Sequence, residues 1–181
     1  ASTSGKKISI LTSTVISPST KALFAEFAAK YPGTEVVTYD AISNSGTLKA
    51  NLDSFGKAAL PTYRFDNAAV IVGIDADFLG NWGNATENAR QYAVNRKLFG
   101  KREMSRHYQF ESHLSLTGSN ADFRTAVKPS ELGSAVIALY NAIASASGKS
   151  TVSGGTISDK AKKSIEQAAK RSEEHTSELQ S

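Results

Sequence analysis

Short runs rich in Ile, Val and Thr alternate along this chain with segments whose apolar residues recur at helical spacing, and this alternation constrains the fold most. Lys7–Thr12 reads as a strand. Ser17 then offers an N-cap with Pro18 in the first turn, and Leu23, Phe24, Phe27 and Ala28 line a helix that stops at Tyr31-Pro32-Gly33. Thr34–Tyr39 reads as a second strand, and Leu48, Leu52 and Phe55 mark a second helix closed by Gly56. Ala69–Gly73 is the third strand, followed by a helix near Glu87 to Phe99 that contributes Tyr92 and Val94–Leu98 to the core. Arg106–Glu111 is a fourth strand. Glu131–Ala144 is a helix with Leu132, Val136, Leu139, Tyr140 and Ile143 on its buried side. Strands that alternate with helices build a parallel sheet, because parallel strands need long crossovers and both faces need cover.

The expected fold is therefore α/β, a three-layer sandwich around a mostly parallel sheet. The apolar run Ala69–Gly73 is expected to be its central strand, flanked by Lys7–Thr12 and Arg106–Glu111. Residues 1–144 form this domain, 145–157 a Ser/Gly-rich linker, and 158–170 the helix of a further, truncated βα unit. The last stretch, Arg171–Ser181, reverse-translates to a widely used sequencing adapter. It is expected to be artefactual and to make no defined packing, with Leu179 outside the core. With no initiator Met at the other end, the chain reads as a fragment.

Charged residues make up 21% of the chain and hydrophobic ones 40%, a globular balance. The net charge is +4, but Lys and Arg are scattered rather than striped among aromatics, which argues against nucleic acid as a partner. No apolar stretch has membrane-spanning length, so direct membrane insertion by this segment is not expected. There is no cysteine, hence no disulfide or cysteine-ligated cluster here. His107 and His113 lack a second ligand pair, and no metal site is expected. Neither a G-x-S-x-G elbow, a P-loop nor a G-x-G-x-x-G turn occurs, and no catalytic residue stands out.

One stretch does raise a chemical question. In IDADFLGNW, residues 74–82, Asp75 and Asp77 sit where the third strand would open into a crevice, the usual ligand position of an open α/β sheet. Two carboxylates there can divide acid and base roles, or cap the following helix and bond to backbone amides or Arg. Phe78 and Trp82 just beyond read as an interface anchor or as packing over the sheet. Arg124 and Lys128 read as an anion site or as solvated surface.

From Ile71 to Lys128 the chain resembles the large subunits of molybdopterin oxidoreductases. The resemblance rests on Gly73-Ile74-Asp75-Ala76-Asp77, Phe110-Glu111-Ser112-His113, Thr117-Gly118-Ser119-Asn120-Ala121-Asp122 and Lys128-Pro129-Ser130-Glu131, in that order. Within the family it is most similar to the Tat-variant-translocated branch, the large iron–sulfur subunit of alternative complex III. The shared stretches are Asp75 to Trp82, Tyr92 to Arg96 and Leu116 to Glu131, within a resemblance covering roughly residues 6 to 170.

The resemblance implies a Rossmann-like domain of a respiratory quinol:acceptor oxidoreductase. It implies a non-catalytic scaffold, with iron–sulfur clusters elsewhere in the full-length subunit and the molybdopterin lost. The implied partners are other subunits of a membrane-bound respiratory complex, on the periplasmic side of a bacterial inner membrane. Gly73, Asp75, Asp77, Glu111, Asp122 and Glu131 then mark a vestigial cofactor pocket. Two other readings remain open: a domain that still grips a molybdopterin guanine dinucleotide in an active molybdenum enzyme, and a stand-alone flavodoxin-like binding module.

Overall fold

The structure is a computed structural model that describes residues 6–97 and 103–178. The chain is α/β and divides into two compact units, Ala1–Pro61 and Thr62–Ser181.

The first unit runs β1 (Ile8–Thr12), α1 (Pro18–Lys30), β2 (Thr34–Thr38) and α2 (Ser45–Phe55). Ser17 caps α1 by accepting a hydrogen bond from the Thr20 amide. Gly56 ends α2 in the left-handed conformation, at φ 70°. Strands β1 and β2 pair in parallel, Ile8 opposite Thr34 through Thr12 opposite Thr38, as a sheet of two. None of residues 6–61 is buried.

The second unit continues with β3 (Val70–Ile74), α3 (Ala85–Val94), β4 (Arg106–Glu111), α4 (Leu116–Ser119), β5 (Phe123–Ala126), α5 (Leu132–Ala146) and α6 (Asp159–Glu178). Its sheet is wholly parallel, in the order β3-β4-β5. Alternation along the strands separates two apolar clusters. On one face Val70, Val72, Ile74, Tyr108 and Phe110 pack against α5 and α6 through Ala135, Ala161, Ile165 and Ala168. On the other, Ile71 packs with Phe65, Phe78 and Tyr92. This unit is a three-layer sandwich.

Three expectations need correction. Within the sheet of the second unit the middle strand is β4, not Ala69–Gly73, because β5, whose sequence Phe-Arg-Thr-Ala carries no apolar run, pairs with the far side of β4. Leu132 and Leu139 of α5 pack on the core as expected, together with Ala135, Ala138 and Ala142, whereas Val136, Tyr140 and Ile143 are exposed. The apolar residues of this helix extend well beyond its core-facing side, so periodicity does not orient it; the small alanines permit the close approach of α6. Helix α6 does not stop at Lys170 but runs on to Glu178, and Arg171, Ser172 and Glu173 are half-buried rather than free of packing. Leu179 lies outside the described residues, as do Leu98 and Phe99 of the expected third helix. No helix among the described residues is long and apolar enough to cross a membrane.

Candidate functional site

The carboxyl end of the β3-β4 pair gathers four of the positions singled out from the sequence: Gly73, Asp75, Asp77 and Glu111. Asp75 follows β3 directly, its amide donating to the Phe110 carbonyl at 2.8 Å. Its φ of 52° lies in the left-handed region, which Asp tolerates better than most residues, and there the chain turns out of the sheet. The Asp75 carboxylate accepts from the Ser112 amide and hydroxyl, both at 3.3 Å. Asp77 accepts from the amide of Thr117 at 3.0 Å and its hydroxyl at 2.8 Å, while the same hydroxyl accepts from the Leu79 amide at 2.9 Å. The two acids therefore brace the loop into α4. The following helix, α3, is capped by Asn84 instead.

Glu111 ends a polar row that sequence reading did not find. His107, Gln109 and Glu111 occupy alternate positions of β4, so they share one face, and each is at most 1% exposed. His107 Nδ1 lies 3.1 Å from the Tyr92 hydroxyl, which donates to the Asn120 carbonyl at 2.9 Å. His107 Nε2 lies 3.3 Å from Gln109 Oε1. The Gln109 amide nitrogen donates to the Ala76 carbonyl and to Glu111. Glu111 then accepts from the Ser115 amide at 3.3 Å, the Ser115 hydroxyl at 2.6 Å and Arg124 Nε at 2.5 Å. The signal was visible as the alternation His-Gln-Glu, but alternating polar residues ordinarily mark a solvated face.

Two glycines make room for this row. Gly73 stands opposite Gln109 in register, and a Cβ at Gly73 would strike the Gln109 side chain. A Cβ at Gly118 would strike the Glu111 carboxylate.

The electrostatics follow from these contacts. Burial is the largest influence on Glu111 and opposes its charge, yet Ser115 and Arg124 together hold its carboxyl below the usual range. Burial pushes His107 down, so its imidazole is favoured neutral. Among the described residues no group of acids and histidines is arranged to hold a metal ion.

The other two positions lie elsewhere. Asp122 precedes β5 at the amino end of the sheet, where it takes both Arg96 Nη atoms, at 2.6 and 2.9 Å, and the His107 amide at 2.8 Å. Burial again opposes its charge most, but Arg96 and the His107 amide keep its carboxyl low. Arg96 also lies over the Tyr92 ring, 5.2 Å from its centroid, so this ion pair ties α3 to both strands. Glu131 accepts from the Lys128 amide at 3.2 Å and closes its own turn. Arg124 is committed to Glu111 rather than held as an open anion site. Phe78 is buried against Phe65 and Tyr92, and Trp82 packs with them, so both are packing residues.

The residues present do not fit a pyrophosphate. Such a group needs free backbone amides and positive potential. Here the amides of Ser112, Ser115 and Thr117 are taken by Asp75, Glu111 and Asp77, and that of Gly118 by the Ser115 hydroxyl. A carboxylate about 4 Å from a phosphate charge adds repulsion of about 1 kcal/mol in water and about 4 kcal/mol at an effective dielectric of 20. The chain matches no model of a known protein family and no curated protein.

Proposed function

We propose that this chain is a non-catalytic α/β scaffold domain of a respiratory oxidoreductase large subunit, similar to that of alternative complex III, with electron transfer carried by iron–sulfur clusters outside it. Its partners are the other subunits of that membrane-bound complex, on the periplasmic side. The observation that carries the scaffold reading is the engagement of the Ser115 and Thr117 amides by Glu111 and Asp77. A crevice built to take a dinucleotide presents those donors to the ligand; this one uses them to fix its own loop. The acids thus contribute to rigidity and not to a reaction. The motif order from Gly73 to Glu131 supports the assignment to an oxidoreductase subunit.

Metal and nucleotide analysis of the purified full-length subunit tests this reading. Iron without molybdenum, and no guanine nucleotide released on denaturation, is the expected result. Stoichiometric molybdenum together with a pterin guanine dinucleotide would overturn it in favour of an active molybdenum enzyme.

A further inference from the structure

The hydrogen bonds along the polar row of β4 have directions, and these do not close on a neutral His107. The Gln109 amide nitrogen faces two acceptors, the Ala76 carbonyl at 3.4 Å and Glu111 Oε2 at 3.5 Å. Its oxygen is therefore the atom turned to His107 Nε2, 3.3 Å away, and Nε2 must carry a hydrogen to bond it. On the other side of the ring, the Tyr92 hydroxyl lies 3.1 Å from Nδ1 and 2.9 Å from the Asn120 carbonyl. A hydroxyl has one hydrogen to give, and burial raises the Tyr92 pKa, so it keeps that hydrogen. While Nδ1 is bare, Tyr92 can serve His107 or Asn120, not both. A second hydrogen on His107 removes the conflict, because Nδ1 then donates to Tyr92 while Tyr92 donates to Asn120.

We propose that His107 and Tyr92 form a proton-operated latch, in which a proton taken from solvent onto Nδ1 turns the Tyr92 hydroxyl from His107 to the Asn120 carbonyl and so ties α3 to the end of α4. Every group involved belongs to the second unit, and His107 is fully buried in it. The charged groups facing the ring are Arg96 of α3, which opposes the proton, and Asp122 ahead of β5 and Glu111 of β4, which favour it. The loop after β3 contributes the Phe78 ring, 5.4 Å from the imidazole. Burial outweighs the rest and holds His107 below its ordinary 6.5, so the latch closes in acid and is open at neutral pH.

Nitrogen-15 NMR of the imidazoles in the full chain, followed against pH, tests the latch. Above the midpoint His107 should show the Nε2–H tautomer. As pH falls it should take up a proton while the chain is still folded, and the Asn120 carbonyl carbon should shift with the same midpoint. In Tyr92→Phe the carbonyl response should vanish and the midpoint should drop by about half a pH unit, a loss of about threefold in proton affinity, because a charge-assisted bond is roughly twice as strong as a neutral one. The joint titration of His107 and Asn120 in the wild-type chain decides the matter even where Tyr92→Phe fails to fold. A neutral His107 with its hydrogen on Nδ1, an Asn120 carbonyl that ignores the protonation of His107, or global unfolding before His107 takes up its proton overturns the inference.

Discussion

Strand β4 carries two opposite interiors. Tyr108 and Phe110 point into an apolar layer against α5 and α6, while His107, Gln109 and Glu111, equally buried, point into a polar row. The apolar face gains from water exclusion whichever way its neighbours adjust. The polar face is stabilised only while each group keeps its partner, because a buried donor or acceptor left alone costs more than its bond contributes. One strand thus combines a face that supplies stability with a face that specifies geometry, and the specified geometry is that of the loop at its carboxyl end.

Substitutions on the two faces should separate these roles. Phe110→Ala should cost the most, about 3–5 kcal/mol in chemical denaturation, as for a large aromatic removed from a packed core. Glu111→Gln should cost about 2 kcal/mol, because the bonds from Arg124 and Ser115 lose the charge that strengthens them. Amide exchange at Ser115 and Gly118 should also rise well beyond what global stability explains. Gly73→Ala should cost about 1–3 kcal/mol by overpacking, and Gln109→Ala should recover part of that loss in the double variant. Asp75→Asn should cost least, within about 0.5–1 kcal/mol, since Asp75 is exposed and its two bonds to Ser112 are long. A Glu111→Gln variant as harmless as Asp75→Asn would break the contrast between the faces.

Acid should expose the polar face alone. His107 is held below its ordinary 6.5 by burial, so the unfolded chain binds more protons than the folded chain as pH falls through that value. Stability therefore starts to fall from about pH 6.5. Glu111 and Asp122 are held below 4.5 and 3.8, so their contribution is complete above those values and is lost as pH drops through their lower folded-state values. Denaturation midpoints measured against pH should show both phases, and His107→Gln should remove the first.

Much of this architecture could be read from residue order. Ser17 and Gly56 mark ends of their helices, and the strand read at Arg106–Glu111 has those bounds in the structure. Asp75 and Asp77 were placed at a strand end because the apolar run before them could only be a short strand. What stayed hidden depended on partners distant in sequence. Phe123–Ala126 is a strand because β4 presents a free edge, not because of its own pattern. The polar row looked like a solvated face, since only Tyr92, Ser115 and Arg124 folding over it make its burial tolerable. Helix α5 could not be oriented from its sequence, because Val136, Tyr140 and Ile143 are as apolar as the residues that face the core.

The central claim is that the chain's own carboxylates, rather than a ligand, hold the amides at the carboxyl end of β4. Titrating the isotope-labelled protein with guanosine diphosphate while following the amide resonances of Ser112, Ser115, Thr117 and Gly118 tests it most directly. The account predicts that these four resonances do not move, and that Asp77→Asn with Glu111→Gln shifts Thr117 and Ser115 without any nucleotide. Saturable shifts of those amides in the wild-type protein, at nucleotide concentrations that leave the rest of the spectrum unchanged, would contradict it.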